Sequence, residues 1–157
     1  MSTGALHIVI AAVGKAKPGP ERDLYESYRA RLPWRVDLKE IEIKKELAVA
    51  ARKAREGEAL LAAVPAGARM VALDERGRTE TSDAFASRLG RWRDDGVRTV
   101  AFVIGGADGL DETVRRKADF VLSFGALTWP HMLVRAMLAE QVYRAQSILA
   151  GHPYHRA

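Results

Sequence analysis

The feature that most constrains this chain is an alternation of short apolar runs with amphipathic helical patterns along its whole length. Such an alternation predicts repeated strand–helix–strand units, and therefore a mostly parallel β-sheet flanked by helices. The run at 99–104 is apolar after its first residue, which predicts a central strand covered on both faces. The run at 36–43 partly alternates polar and apolar residues, which predicts a half-exposed strand at a sheet edge.

The pattern predicts five strands and five helices within one domain spanning residues 1–157. The predicted strands are His7–Val13, Val36–Ile43, Met70–Leu73, Thr99–Ile104 and Phe120–Ser123. The predicted helices are Glu21–Leu32, Glu46–Ala63, Ser82 to about Asp95, Asp111–Lys117 and about Met132 to Leu149. A polar loop is expected from Asp74 to Thr81, with Ser82 capping the next helix and Gly151 ending the last one.

Composition and charge narrow the classes of protein to which the chain can belong. It contains no cysteine, which excludes disulfide frameworks and thiolate zinc sites and is typical of a reducing cytoplasm. No segment approaches the roughly 20 apolar residues that a bilayer span needs, so no membrane association is expected. The four histidines form no H-E-x-x-H helix, so no metal site is expected either. The net charge of +5 favours a polyanionic partner such as RNA.

Three predicted strands end in loops of unusual composition: Leu73-Asp74, Gly105-Gly106 and the segment 124–130. Ligands of parallel sheets bind at the carboxyl ends of strands. The glycine pair allows backbone to approach a ligand closely, although a tight turn explains it as well. The third loop suits a flat, mostly apolar group that is recognised by main-chain hydrogen bonds. The glycines at 105, 106 and 109 match neither the dinucleotide fingerprint nor the phosphate loop.

Four residues of the C-terminal tail combine aromatic, imidazole and cationic side chains: His152, Tyr154, His155 and Arg156. The rings can stack on an unpaired base and the cation can meet a phosphate, which indicates contact with RNA. A frayed terminus is the alternative interpretation.

Motifs in the second half of the chain resemble one known family. They are Phe102-Val103-Ile104-Gly105-Gly106, Leu127-Thr128-Trp129-Pro130-His131, Leu133-Val134-Arg135, Leu138-Ala139-Glu140-Gln141-Val142-Tyr143-Arg144-Ala145 and His152-Pro153-Tyr154-His155-Arg156. Together they resemble the bacterial large-subunit ribosomal RNA methyltransferase H family of the SPOUT superfamily. The resemblance covers nearly the whole chain, and this combination of motifs is highly specific.

The resemblance implies an α/β fold whose C-terminal segment, within about 100–157, threads a trefoil knot, and a homodimeric assembly. It implies S-adenosylmethionine as cofactor and methylation of N3 of a pseudouridine in helix 69 of 23S rRNA, on assembled 70S ribosomes in the cytoplasm. The family's cofactor contacts correspond to Leu73, Gly105, Phe124, Gly125, Ala126, Leu127, Thr128 and Trp129. Trp129 stands where leucine is common in the family, and its larger indole could tighten the adenine pocket.

Roles for the remaining polar residues are hypotheses at this point. The acceptor nitrogen must lose a proton, so His152 and His155 are the candidate bases, with Tyr154 orienting the RNA. Arg135, Arg144 and Arg156 are candidate RNA contacts, although the first two could instead pair with acids across a dimer. One subunit's tail could lie near the other's cofactor. The alternative functions are a non-catalytic ribosome-binding factor and a SPOUT methyltransferase for another RNA, such as tRNA.

Overall fold

A computed structural model describes residues 4–156 of the chain and shows strands and helices in strict alternation. The strands are β1 (His7–Val13), β2 (Val36–Ile41), β3 (Arg69–Arg78), β4 (Thr99–Ile104) and β5 (Phe120–Leu122). The helices are α1 (Pro20–Arg31), α2 (Val49–Ala63), α3 (Ser82–Asp94), α4 (Glu112–Lys117) and α5 (His131–Ala150). The predicted alternation is therefore confirmed.

The strands form one sheet in the order β2-β1-β4-β3-β5, and every neighbouring pair is parallel. The predictions that β4 is central and that β2 lies at an edge are confirmed. In β4, every residue from Val100 to Ile104 is buried, as its apolar sequence requires. Because all strands run the same way, the carboxyl ends of β4, β3 and β5 lie side by side at one edge of the sheet.

Helices cover both faces of the sheet and create two apolar clusters. Successive strand residues point to opposite faces, so Ile10 and Phe102 pack under α1, α3 and α5, whereas Ala11 and Val103 pack under α2 and α4. None of the helices in the described part of the chain has the length and apolarity that crossing a bilayer requires.

Strand β3 extends further than predicted. The segment expected to be a loop from Asp74 continues as strand to Arg78, with an irregularity in its pairing to β5. Leu122 pairs with both Leu73 and Arg78, so residues 74–77 form a bulge between two paired positions. The prediction failed because these residues are polar and partly exposed, which by sequence is typical of a loop.

Two helix ends show how local chemistry sets boundaries. The cap of α3 is Thr81 and not Ser82 as predicted, since the Thr81 hydroxyl accepts a 3.0 Å hydrogen bond from the Ala84 N–H. The Ser82 hydroxyl donates to Gln141 of α5 instead. At the other end of α5, Gly151 adopts a φ of 72°, and the His152 N–H donates to the Ser147 carbonyl. This left-handed cap confirms Gly151 as the predicted end of the last helix.

Candidate active site

The carboxyl ends of β3, β4 and β5 border a cleft of about 290 Å³, named here the strand-end cleft. Of the residues assigned by resemblance to cofactor binding, Ala126 does not line this cleft. Those that line it are Leu73, Gly105, Phe124, Gly125, Leu127, Thr128 and Trp129. Its other walls are the β3 bulge, the turn at 106–110 and the start of α5. One pocket therefore joins residues that lie far apart in sequence.

The turn after β4 places backbone against backbone. The Gly109 N–H donates a 3.0 Å hydrogen bond to the Gly106 carbonyl, and the two residues form an isolated bridge. A Cβ atom at Gly105 would lie 2.8 Å from the carbonyl carbon and oxygen of Gly109. The chain's own turn thus requires glycine at 105, which favours the tight-turn explanation of the glycine pair that the sequence left open beside close approach to a ligand.

Ser123, which the sequence analysis treated only as the end of a strand, organises the loop after β5. Its buried hydroxyl accepts from the Gly125 N–H at 3.0 Å and lies 3.1 Å from the carbonyl oxygens of Glu75 and Gly125. The signal that could have revealed it is a polar residue directly after a buried strand. At the far end of the loop, the Trp129 indole N–H donates to the Phe124 carbonyl at 3.3 Å. These bonds shape the wall of the strand-end cleft.

The same loop has backbone donors available to a ligand. Within residues 4–156, the N–H groups of Ala126, Leu127 and Thr128 donate no hydrogen bond, and all three residues are exposed. Leu127 is 71% exposed and Trp129 is 39% exposed, so apolar side chains stand beside these donors. The loop can therefore offer main-chain hydrogen bonds and an apolar surface to one ligand.

The β3 bulge contributes a fixed charge to the strand-end cleft. The Asp74 side chain is 6% exposed and accepts hydrogen bonds from the backbone N–H and guanidinium of Arg76, while Arg115 lies 3.6 Å away. Burial raises the pKa of Asp74, but the Arg76 hydrogen bonds and the two guanidinium charges outweigh it and leave that pKa below its ordinary range. Asp74 therefore holds the bulge as a carboxylate.

His131 begins α5 and lines the strand-end cleft. Burial, and after it the charge of Arg135, lowers the pKa of His131 below its ordinary value. The imidazole is therefore mainly neutral at pH 7. The sequence analysis used His131 only as part of a motif, because its place on the cleft depends on the packing of α5 against the strand ends.

Arg135 does not fit its predicted role as an RNA contact. Arg135 as a whole is 2% exposed. Its guanidinium donates to the Gly14 carbonyl at 2.7 Å, the Val13 carbonyl at 3.3 Å and the Glu40 carboxylate at 2.6 Å. Both terminal nitrogens are thus bound within one chain and Nε is buried, which leaves no part of the guanidinium open to a phosphate. Arg135 holds α5 against the carboxyl ends of β1 and β2.

The C-terminal tail does not reach the strand-end cleft of its own chain. It folds back along α5, where the Tyr154 hydroxyl donates to Glu140 at 3.0 Å and His155 Nδ1 lies 3.1 Å from Arg144 Nη1. His152 is exposed beside the helix end. The structure therefore does not place His152, Tyr154 or His155 at the cleft within one chain, and it does not support fraying of the tail.

Two features limit the roles open to the tail. Burial, with Tyr28 and Glu140 beside it, raises the pKa of Tyr154 to about 12, so this hydroxyl keeps its proton at neutral pH and acts as a donor. Arg144 is bound to Glu140 of its own helix, whereas Arg156 is exposed.

Among residues 4–156 no group of three or more His, Cys, Asp or Glu side chains is arranged to hold a metal ion.

Comparison with known proteins places this site in a family. A family model described as "Predicted SPOUT methyltransferase" matches residues 6–155. The chain is 63% identical over 152 residues to Ribosomal RNA large subunit methyltransferase H of Rhodospirillum centenum, covering 97% of this chain and 100% of that protein. It is 60% identical over 151 residues to the protein of the same name from Paramagnetospirillum magneticum, covering 96% of this chain and 99% of that protein.

A solved structure supports the fold. A protein of Haemophilus influenzae described as a "probable methylase family protein" superposes with a TM-score of 0.63 and 13% identity, covering 97% of this chain and 71% of that chain. At this identity the likeness shows the architecture alone. Since the family model spans residues 6–155 and the two relatives are at least 60% identical over nearly their whole length, this chain belongs to the SPOUT methyltransferases, in the group of ribosomal RNA large subunit methyltransferase H proteins.

Proposed function

We propose that this protein transfers a methyl group from S-adenosylmethionine to N3 of a pseudouridine in helix 69 of 23S rRNA, within assembled 70S ribosomes. The observation that carries the proposal is the strand-end cleft, where three neighbouring strand ends bring apolar side chains and free main-chain donors together. The curated relatives, named for methylation of large-subunit ribosomal RNA, supply the class of substrate.

The residues of the strand-end cleft fit an adenosyl group. A flat base needs apolar surfaces on its faces and hydrogen-bonding groups at its edge. Leu73, Phe124, Leu127 and Trp129 offer the first, and the loop backbone at 126–128 offers the second. Leu73, Gly105 and the segment 124–129 would hold the cofactor in this arrangement.

The cofactor, when bound, supplies a methyl group on a positively charged sulfur. Held by Leu73, Gly105 and the segment 124–129, it would supply this methyl group to N3 and would leave as a neutral thioether, while a base would take the N3 proton. The chain's contribution is then to hold the acceptor nitrogen in line and to accept the proton. His152 and His155 remain our candidates for the base, with Tyr154 as a donor that orients the tail and Arg144 and Arg156 as candidate RNA contacts.

The position of the tail supports an assembly of two copies. The tail lies on α5 of its own chain and lines no part of that chain's strand-end cleft. Catalysis by His152 or His155 therefore requires the tail of a partner subunit, and we propose that the protein works as a homodimer in the cytoplasm.

We further propose that residues 1–157 form a single SPOUT domain with a trefoil knot within about 100–157. One sheet with both faces covered, matched by the family over 6–155, supports the single domain.

The decisive experiment compares methyl transfer to free 50S subunits and to assembled 70S ribosomes, using labelled S-adenosylmethionine. We expect transfer to 70S ribosomes and much weaker transfer to 50S subunits. Mass mapping of 23S rRNA from a deletion strain, with and without this chain restored, locates the methyl group. An unchanged helix 69 on deletion would overturn the substrate, and methylation of tRNA instead would assign another RNA. Calorimetry without stoichiometric cofactor heat would indicate a ribosome-binding factor.

A further inference from the structure

A second groove opens at the same edge of the sheet as the strand-end cleft. It has a volume of about 620 Å³ and lies between the loop after β1, the start of α1 and the side of α5. Its exposed rim carries three cations, Lys15, Lys17 and Arg22. We name this feature the basic groove. None of its residues except Arg135 entered the sequence-based hypotheses about RNA.

The charges on the rim of the basic groove are largely free. Within residues 4–156, the side chains of Lys15, Lys17 and Arg22 form no ion pair and no hydrogen bond, and Lys15 acts on Glu40 only through its charge. Three acids also line the groove. Glu40 is bound to Arg135 and Glu26 to Arg29, so Glu21 is the acid of the groove that forms no ion pair within the described part of the chain. Three free cations against one free carboxylate give the groove a positive field.

The loop that carries the lysines is held firmly in place. The Gly14 N–H donates to the Ile41 carbonyl at 2.7 Å, and the Ala16 N–H donates to the Glu40 carboxylate at 2.7 Å. The Gly14 carbonyl accepts from Arg135 at 2.7 Å. Pro18 restricts the loop further by fixing its own φ. An anchored loop presents its charges to a ligand with little ordering cost.

The basic groove adjoins the strand-end cleft through the first residues of α5. His131 lines the cleft and Met132 lines the groove. Both side chains face Gly14, because a Cβ atom there would lie 3.6 Å from His131 Nε2 and 3.0 Å from Met132 Cε. The two pockets are therefore neighbours, separated by the side chains of His131 and Met132.

We propose that the basic groove binds the phosphodiester backbone of the substrate RNA beside the nucleotide that enters the strand-end cleft. This inference rests on the proposed methyl transfer to RNA and names the surface that holds the substrate. Phosphate contacts of this kind fix the register of the RNA and are independent of base sequence. Lys15, Lys17 and Arg22 supply the cations, and the strand-end cleft selects the base.

The test removes the three cations together, with Lys15→Ala, Lys17→Ala and Arg22→Ala in one protein. A matched control carries Arg91→Ala, Arg98→Ala and Lys117→Ala. These residues are exposed and form no ion pair within residues 4–156, and they lie toward the amino edge of the sheet, away from both pockets. Both variants lose the same net charge, so a difference between them reports position and not total charge.

Four measurements are made on each full-length protein: KM and kcat with 70S ribosomes, cofactor affinity by calorimetry, cosedimentation with ribosomes across salt concentrations, and thermal unfolding. For the groove variant we expect KM to rise about tenfold or more and the slope of log affinity against log salt to fall by about 2 to 3. We expect its kcat, cofactor affinity and unfolding temperature to match those of the control. Replacing Lys15 and Lys17 by arginine is expected to keep most of the affinity.

Equal ribosome affinity and equal salt slopes for the groove and control variants would overturn the proposal. So would a loss of affinity in the groove variant that is independent of salt. The result is separable from the proposed function: if the wild-type protein cosediments with ribosomes but transfers no methyl group, the methylation proposal fails while the salt-dependent comparison still decides the groove.

Discussion

The Tyr154 ring lies edge-on against the Tyr143 ring, with centroids 4.7 Å apart and planes inclined by 65°. The Arg31 guanidinium lies over both rings, 4.6 Å from the Tyr143 centroid and 5.2 Å from that of Tyr154. Aromatic and cation–π contacts of this kind stabilise a partly buried cluster. The tail is therefore part of the folded structure, and contacts within one chain define its position on α5.

Removal of residues 152–157 tests the role assigned to the tail. We expect methyl transfer to 70S ribosomes to be abolished and cofactor affinity to stay within about twofold, because none of the described tail residues 152–156 lines the strand-end cleft. Loss of the tyrosine pair is expected to lower the free energy of unfolding by about 1 kcal/mol. Calorimetry, urea denaturation and a transfer assay check these outcomes, and Tyr154→Phe, which retains the ring and loses the hydrogen bond to Glu140, separates ring packing from the hydroxyl. Unaltered turnover after truncation would refute the proposed role.

Replacing Arg135 by methionine is expected to lower the free energy of unfolding by about 3 kcal/mol. The change leaves the Gly14 carbonyl and the Glu40 carboxylate without their buried donor. Urea denaturation and ribosome cosedimentation measure the effect, and Arg98→Met, at an exposed position away from both pockets, serves as the control. If Arg135 contacted phosphate instead, the variant would keep its stability and lose ribosome affinity, which is the opposite pattern.

The Arg135–Glu40 contact also predicts how stability depends on pH. Burial raises the pKa of Glu40, but the Arg135 hydrogen bond, the Ala16 N–H and nearby charges outweigh it and lower that pKa below its ordinary value of 4.5. A depressed folded-state pKa contributes stability above pH 4.5 that disappears as pH falls through the folded value. We expect Glu40→Gln to cost about 2 kcal/mol at neutral pH. That difference should shrink below pH 4.5 in urea titrations; a constant difference would contradict this reasoning.

Gly105→Ala tests the turn that closes one wall of the strand-end cleft. The added methyl group would lie 2.8 Å from Gly109 backbone atoms, which cannot rotate away as a side chain would. We expect a loss of about 1–3 kcal/mol in unfolding free energy and more than about tenfold in cofactor affinity. Gly19→Ala is the matched control, because its nearest neighbour is a flexible Glu21 side chain at 3.7 Å. Equal behaviour of the two variants would show that the turn can shift without consequence.

Ser123→Ala removes the hydroxyl that links the β3 bulge to the loop after β5. The Gly125 N–H loses its acceptor and the Glu75 carbonyl loses a donor, so we expect a cost of about 1–3 kcal/mol. Part of this cost should appear as weaker cofactor binding in calorimetry, because both segments line the strand-end cleft. Ser87→Ala, on the exposed side of α3, is the control. Retained affinity in Ser123→Ala would mean that the loop keeps its shape without this hydroxyl.

The apolar periodicity of the sequence was sufficient for the central features of the fold. The apolar run Val100–Ile104 favoured a strand covered on both faces, which the structure confirms. The adjacency of three strand ends followed from parallel order, so most of the strand-end cleft was accessible to sequence reasoning.

What the sequence could not reveal depends on contacts between distant segments. Arg135 resembles a surface cation by residue type, yet its acceptor Glu40 lies 95 residues earlier in the chain. The extension of β3 beyond Leu73 depends on pairing with Leu122. Its residues are polar, so the sequence predicted a loop there. The basic groove was missed for the same reason, because only the folded structure shows that its lysines lie in one groove beside α5.

The bulge in β3 forms one wall of the strand-end cleft and takes no part in the strand pairing of the sheet. Leu73 and Arg78 both pair with Leu122 of β5. The pairing of β3 with β5 is therefore kept on both sides of residues 74–77. A change of length or charge in this segment therefore need not shift any core strand along its neighbours. The part of the cleft wall formed by residues 74–76 is set apart from the hydrogen bonds that hold the sheet.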